Sequence, residues 1–494
     1  MTDTMYQLLA IIIYFLGMIG IGLYAYRRIF NLNDYMLGGR SLGPAVSALS
    51  AGAADMSQWL LMGLPGAIYV SGLVEGWIAI GLTIGAWLNW KLVAPRLRVY
   101  TYVSNDSITI PSFFDNRFKE NAKILRIVTG IIILVYFTFY VSSGLVAGGV
   151  FFESSFGYDY HLGLLVVGGV IVLYTLFGGF LAVSYTDFVQ GTIMFLALIS
   201  VPIFGLFANG GIGETIATIK SFDPNLLSLT ATATATGVIS SLAWGLGYFG
   251  QPHIIVRFMA IKSAKEIKQA RRIGIGWMIL SLAGAAATAL VGVAYFQQHA
   301  DVNLTDSEAV FIQMGQILFH PFIAGILLSA VLAAIMSTVS SQLIVTSSAL
   351  VEDIYKAIFK SDANQKTYIF LGRIAVLVIA IIAGIFAWEK SDTILNLVAF
   401  AWAGFGAAFG PTVLLSLYWR KFTSQGALSG MIVGAITVFV WGNSFLSEYL
   451  YEIVPGFILN LIVAVLVSKM TYKSIPEVEK EFDETLRLLK EEHE

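Results

Sequence analysis

The stretch Ser47-Ala-Leu-Ser-Ala-Gly-Ala-Ala-Asp-Met-Ser-Gln-Trp59 places an acid, Asp55, in the middle of an apolar segment that runs from Gly43 to Val70. No Lys or Arg lies near enough along the chain to neutralise it, and an ionisable group at membrane depth costs several kcal/mol unless it is hydrated or paired. Gly52, Ala53 and Ala54 before the acid, and Gly63 and Gly66 around Pro65, weaken helix continuity. An interrupted helix frees carbonyls and amides, which bind a cation and a carboxylate without adding formal charge. The expectation is a broken membrane-spanning helix with a ligand site at the break.

The rest of the chain supports a membrane setting. Of 494 residues, 57% are hydrophobic and only 12% charged, against about 25% charged in soluble chains, and the mean hydropathy is +0.78. That leaves too little polar surface to coat a water-soluble globule. The formal net charge of −2 argues against nucleic acid as a partner. The absence of cysteine removes disulfides and thiolate chemistry. Five histidines, with no HExxH, nucleophile elbow or phosphate-cradling glycine loop, leave little material for enzymatic chemistry. No organic cofactor is expected.

Apolar runs of about 17 to 25 residues give about 13 membrane spans. The first, Tyr6 to Tyr26, lacks a basic leader and a small-residue cleavage site and reads as a retained span. Lys and Arg collect in alternate loops: Arg27, Arg28 and Arg40; Arg96, Arg98 and Arg117; Lys262, Lys265 and Lys268; Lys356, Lys360 and Lys366; Arg420 and Lys421. By the positive-inside rule the N-terminus is outside and the C-terminus cytoplasmic. Residues 1–470 form one transmembrane domain. The charged tail, 471–494, with Leu486, Leu488 and Leu489 at near-helical spacing, is either a short surface helix or a solvated tail.

The seventh span repeats the theme of the second. In Ala243-Trp-Gly-Leu-Gly-Tyr-Phe-Gly-Gln-Pro-His253, three glycines and a proline interrupt a spanning helix. Two breaks five spans apart suggest inverted five-helix repeats, about 43–207 and about 237–419, with spans one, twelve and thirteen added. Taken one at a time, the glycines read equally well as close helix packing. In the ninth span, Ser329-Ala-Val-Leu-Ala-Ala-Ile-Met-Ser-Thr-Val-Ser-Ser341 sets Ala334, Ser337 and Thr338 at i, i+3 and i+4, on one helical face. Their carbonyl and hydroxyl oxygens suit a partly dehydrated monovalent cation such as Na+. Alternatively, each hydroxyl bonds back to its own helix.

Trp59, Tyr140, Trp244 and Tyr248 offer ring faces and polar edges for a small substrate, or serve as packing. Asp187, at the start of the sixth span, either caps that helix or forms an acidic station for a cation leaving inward. Arg40, Arg257 and Arg373 are candidates for gating or for pairing with acids.

Several long runs together carry a family likeness: Tyr35-Met-Leu-Gly-Gly-Arg-Ser-Leu-Gly-Pro44, Ala53-Ala-Asp-Met-Ser57, Gly63-Leu-Pro-Gly66, Trp244-Gly-Leu-Gly-Tyr-Phe-Gly-Gln-Pro-His253 and Ala401-Trp-Ala-Gly-Phe-Gly-Ala-Ala-Phe-Gly-Pro411. The chain resembles the sodium/solute symporter family, in particular its bacterial sodium/proline symporters. The resemblance implies a leucine-transporter-like 5+5 inverted-repeat core with helices 2 and 7 broken, in a bacterial inner membrane. It implies alternating-access uptake of L-proline with Na+ as the coupling ion, and no obligate protein partner is evident. Carried over, the Na+ site uses carbonyls of Ala53, Met56 and Ala334 with the hydroxyls of Ser337 and Thr338. Asp55 supports Na+ binding and Asp187 lines the exit. Proline lies near Ser57, Trp59, Tyr140, Trp244, Tyr248 and Pro252. One residue departs from the pattern: Gln58 follows Ser57 where those symporters carry Gly. It stands beside the pocket, able to narrow it, add a hydrogen bond or redirect specificity to another small amino acid or carboxylate. A passive cation channel is the reading from a different class.

Overall fold

The computed structural model describes every residue except 120–122, 360, 361 and 494. Lys360, counted above among the loop cations, therefore lies outside the described residues. Among the described residues the chain is helical throughout, with one isolated bridge, Leu42 to Ile261. Among the described residues, ten helices are long and apolar enough to cross a membrane. With the family likeness reported below, they make this a multi-pass membrane protein.

The elements that matter for the site are α1 (Asp3–Tyr26), α2 (Pro44–Asp55), α3 (Leu64–Ser71), α4 (Ile124–Phe156), α5 (Tyr160–Ala208), α6 (Ala235–Leu242), α7 (Pro252–Ala260), α8 (Pro321–Ser348), α9 (Ile394–Tyr418), α10 (Ile453–Thr471) and α11 (Pro476–His493). Burial separates centre from rim. In α8 the most apolar window is 83% buried and in α9 78%, whereas in α1 it is 33%. On α1 the buried positions Gln7, Ala10, Ile11, Tyr14 and Met18 follow helical spacing, while Ile12, Ile13, Leu16 and Leu23 are exposed. An apolar outer face of this kind is stable only against lipid. The chain starts at one end of the bundle, called here the Met1 end, and the loop carrying Arg40 marks the other.

The first interruption follows Pro44, whose fixed φ suits the start of α2. The helix stops at Asp55: Met56 has φ −73° and ψ 74°, and the Ser57 amide turns back to the Asp55 carbonyl at 2.8 Å. A wide turn over Trp59–Gly63 then leads into α3. The second interruption is a 3-10 segment, Ala243–Gly250, followed by extended Gln251 before Pro252 restarts the chain as α7. Glycine is required inside it, because a Cβ on Gly247 would collide with the indole of Trp402.

Two readings need correction: Asp187 as a helix cap and the tail as a solvated segment. The fifth and sixth spans lie in one 49-residue stretch, α5, as two helices that meet at a kink at Gly179 with φ 58° and ψ −151°. Only glycine adopts that backbone readily, and a Cβ there would lie 2.6 Å from the Tyr35 ring. Asp187 is therefore not a helix cap: it lies inside α5, fully buried. The tail is not a free solvated segment either. Phe482 of α11 packs on Tyr100 with ring centroids 6.1 Å apart. Lys119 meets Glu481 at 2.5 Å, and Arg420 meets Asp483 at 2.9 Å.

Candidate functional site

The breaks expose backbone in the middle of the bundle, and α8 faces the first of them. The Ser337 hydroxyl donates to the Ala53 carbonyl at 2.7 Å, across 284 residues, and lies 3.3 Å from the Ala334 carbonyl. The Thr338 hydroxyl reaches the same Ala53 carbonyl at 3.4 Å. Four of the five predicted cation ligands thus form one cluster of neutral oxygens. Met56, the fifth, is fully buried at the non-helical turn that follows. The hydroxyls do not simply bond back within α8, as the bland reading had it. Carbonyl and hydroxyl oxygens without formal charge are the donor set of a hard monovalent ion that must bind and leave.

The acid of the first break crosses to the second: the Tyr248 hydroxyl donates to Asp55 Oδ2. The Trp59 indole donates to the Asp55 carbonyl at 3.0 Å, and the Ser57 hydroxyl lies 3.5 Å from the Trp59 amide. Tyr248 in turn stands edge-on to Trp402, with centroids 5.0 Å apart. The Trp402 indole donates to the Trp244 carbonyl at 2.8 Å, and Gln251 donates to the Trp402 carbonyl at 2.9 Å. Pro252 begins α7 directly below. These contacts fix the 3-10 segment without satisfying all its polar neighbours. Asp55 Oδ1, Gln58 Oε1, Gln251 Oε1 and the Tyr140 hydroxyl are buried without a hydrogen-bond partner among the described residues. Buried polar atoms are rarely left unpaired unless a ligand or water completes them.

Gln58 is held by name and by geometry. Its Nε2 donates to the Ser143 hydroxyl at 2.8 Å, and Ser143 donates onward to the Tyr140 carbonyl at 2.6 Å. Because Ser143 spends its proton on Tyr140, the Gln58 nitrogen is the end that faces it, which leaves Oε1 buried without a partner among the described residues. Ser143 also lines a vestibule of about 770 Å³. The vestibule opens at the Met1 end, and its floor is completed by Tyr451, 5.4 Å from the Trp244 ring.

Below the cation cluster the chain of contacts changes character. Ser341 donates to the Ser337 carbonyl at 2.7 Å, and Arg257 Nη2 donates to Ser341 at 2.7 Å and to Asp187 at 3.1 Å. Ser50 donates to the same Asp187 oxygen at 2.7 Å, and Arg257 Nη1 donates to the His253 carbonyl. Both partners of this ion pair are fully buried. Sequence reading missed Ser50, Ser143, Ser341 and Trp402. Only Ser341 carried a signal, standing four residues after Ser337 on the same face.

At the far end Arg40 closes the column. It meets Asp106 at 2.9 Å, the Met259 carbonyl at 2.7 Å, the Ser107 carbonyl at 2.8 Å and Thr101 at 3.2 Å. Burial pushes its guanidinium down to about 10, with Asp106 pulling upward, so it is charged at neutral pH. Arg373 belongs elsewhere: its Nε donates to the Leu176 carbonyl at 3.1 Å, and its guanidinium lies over Tyr26.

Two helical interruptions, a cluster of neutral oxygens where α8 meets the first of them, and a buried ion pair beyond it are features found together in secondary transporters. The chain belongs to the sodium:solute symporter family, whose sequence profile matches residues 35–434. It is 61% identical to the high-affinity proline transporter PutP of Bacillus subtilis, over 94% of this chain and 98% of that one. It is 54% identical to the osmoregulated proline transporter OpuE of the same organism, over 97% of each. Identity to a Staphylococcus aureus sodium/proline symporter is 51%, over 97% and 96%. Among solved structures, a Na+-coupled sialic acid symporter superposes with TM-score 0.81 at 19% identity, covering 95% of this chain and 99% of that one. Mhp1, a nucleobase-cation-symport-1 family transporter, gives TM-score 0.55 at 16% identity, covering 92% and 99%. The shared property in both cases is the fold.

Proposed function

We propose that the protein is a Na+-coupled symporter that imports L-proline by alternating access. The observation that carries this reading is the meeting of Ser337 and Thr338 with the Ala53 carbonyl. It joins α8 to the first break through the atoms a small cation takes. A Na+ bound there orders the break, and Asp55 passes that order to the second break through Tyr248. Proline then occupies the space bounded by Ser57, Gln58, Trp59, Tyr140, Trp244, Tyr248 and Pro252. Its ammonium suits the unpaired acceptors, its carboxylate the freed amides of the breaks, and its ring the aromatic faces.

The chain crosses the membrane thirteen times on this reading. The two interrupted helices add a crossing each to the ten apolar helices, and α5 supplies two. At about 1.5 Å per residue α5 is more than twice as long as a bilayer core of about 30 Å. Residues 43–207 and 237–419 form the inverted repeats, and residues 1–470 one transmembrane domain, with α11 docked beneath as the tail. The Met1 end faces outward and the Arg40 end the cytoplasm, where the basic loops gather, in a bacterial inner membrane. Asp187, with Arg257 beside it, lines the inward exit, and Arg40 gates it. An inside-negative potential drives each Na+ by about 2.3 kcal/mol per 100 mV.

The test is uptake of labelled L-proline into proteoliposomes under an inward Na+ gradient, with K+ as control and other amino acids as competitors. Accumulation that needs Na+ and yields only to proline-like competitors supports the reading. Flux of Na+ without substrate and without accumulation overturns it in favour of a channel. Gln58 motivates one second reading, a Na+-coupled symporter for another small amino acid or carboxylate, which predicts Na+-dependent uptake that proline does not displace.

A further inference from the structure

The vestibule at the Met1 end carries charge of one sign. Asp392, Glu448 and Glu452 line it, and no Lys, Arg or His does so. Lys390, close by, is turned away to Asp306 and Glu308 at 3.6 Å each. The three acids are not equivalent. Asp392 spends one oxygen on the Thr393 amide at 2.7 Å and on Asn396 at 3.1 Å, and Glu448 is exposed to solvent. Glu452 is only 7% exposed. Among the described residues no cation pairs with it, and no other side chain bonds its carboxylate. It makes no capping bond to α10, which it precedes, and reaches only its own backbone amide.

Burying a carboxylate without a counter-charge is unfavourable unless something mobile supplies the charge. The surroundings hold this one in place. The adjacent Tyr451 amide donates to Ser240 at 3.0 Å, and the Tyr451 hydroxyl donates to the Ala399 carbonyl at 2.6 Å. Gly442 lies against it: a Cβ there would stand 3.5 Å from Glu452 Cδ and 3.0 Å from the Phe400 ring. The Tyr451 ring, next in sequence, covers Trp244 at the vestibule floor. A group held at Glu452 is thus one aromatic layer away from the second break.

We infer that Glu452 is the charged anchor of an outer station that holds a monovalent cationic head, Na+ or the ammonium of the incoming amino acid, before the aromatic floor opens. The station rests on the symport reading and adds a second, shallower stop to it. A one-signed cleft with low-dielectric walls raises the local concentration of the opposite charge and speeds association by about 10-fold or more at low salt.

The experiment uses the full-length protein purified in detergent and stopped-flow tryptophan fluorescence, with Trp244 beneath the station as a reporter. Association rates are measured for Na+ without substrate and for L-proline at one fixed, sub-saturating Na+ concentration, both at low ionic strength. In E452Q the rate for at least one ligand falls about fivefold or more, and added choline chloride narrows the gap, as screening requires. A fall for Na+ alone assigns the station to the ion, and a fall for proline alone assigns it to the ammonium. E452D, which keeps the charge, restores most of the rate. Unchanged rates in E452Q beside normal traces for the unsubstituted protein overturn the station alone. An E452D as slow as E452Q also overturns it, because shape rather than charge then matters. Absence of Na+-dependent L-proline uptake by the unsubstituted protein in proteoliposomes overturns the symport reading and the station with it.

Discussion

The two ends of the bundle are closed by different forces. At the Met1 end the vestibule floor is neutral: Gln58 bonds Ser143, and Tyr451 covers Trp244. At the Arg40 end the seal is ionic, with Arg257 against Asp187 and the Arg40 fork across Met259, Ser107 and Asp106. A neutral hydrogen bond contributes about 0.5–1.5 kcal/mol net and is readily exchanged for water, whereas losing one partner of a buried ion pair costs about 3–5 kcal/mol. On the symport reading the floor at the Met1 end opens by thermal motion, and the seal at the Arg40 end needs a change in its charge balance. On the symport reading a cation released from Ser337 and Thr338 towards Asp187 supplies that change, since it competes with Arg257 for the same carboxylate.

The strongest way to break this comparison is to remove the inner charge. Asp187→Ala leaves the Arg257 guanidinium buried with only hydroxyls and carbonyls around it, and unfolding stability falls by about 3–5 kcal/mol. Thermal unfolding of the purified protein reads this out, and a loss below about 1 kcal/mol would show the pair to be hydrated rather than sealed. The Arg40 fork ranks next. Arg40→Ala abandons two backbone carbonyls and Asp106, and charge-assisted bonds contribute about 1.5–3 kcal/mol each. The chain has no cysteine, so a single S47C near Arg257 reports access from the Arg40 end. Thiol labelling at that position rises about tenfold or more in the R40A background, following roughly 1.4 kcal/mol per decade. Labelling that does not change would move the inner seal wholly to Asp187 and Arg257.

Between the two ends lies the cation cluster, and its two hydroxyls are graded by distance. Ser337, at 2.7 Å from the Ala53 carbonyl, is the tighter partner, and Thr338 at 3.4 Å the looser. Ser337→Ala raises the Na+ concentration for half-maximal proline uptake about tenfold, and Thr338→Ala about threefold, corresponding to roughly 1.4 and 0.7 kcal/mol. Unchanged Na+ dependence in both variants removes the cluster from the coupling site.

Local periodicity made much of this legible. Apolar run lengths gave the spanning helices, Gly and Pro marked both interruptions, and the spacing of Ala334, Ser337 and Thr338 put on one face of α8 the hydroxyls that reach Ala53. What periodicity cannot report is which faces meet. Asp55 meets Tyr248 across 193 residues and Asp187 meets Arg257 across 70, and neither separation has a local signature. Of the two roles open to Asp187, the cap rested on the polar Ser184-Tyr-Thr-Asp187 run, which looks like a loop. In the structure the bend falls earlier, at Gly179, and the helix carries the acid inward. The tail was legible as amphipathic, but its partner surface on Tyr100 and Arg420 was not.

An effect of the same order as that of Thr338→Ala sharpens the comparison at the neutral end. Gln58→Gly removes the bond to Ser143 and the unpaired Oε1 together, and introduces the residue that the family resemblance leads one to expect there. Losing one neutral hydrogen bond of about 1 kcal/mol changes an occupancy ratio about fivefold. The expected result is a change of about threefold to fivefold in the proline concentration for half-maximal uptake, and in its ratio to that of a competing small amino acid. Na+ half-saturation and S47C labelling stay as in the parent, because neither the cation cluster nor the ionic seal has been touched. A shift in S47C labelling instead would mean that the two ends are coupled through Gln58 and Tyr140, so that the neutral floor and the ionic seal form one gate. A competitor ratio that does not move takes Gln58 out of substrate recognition and leaves it as a strut of the vestibule floor.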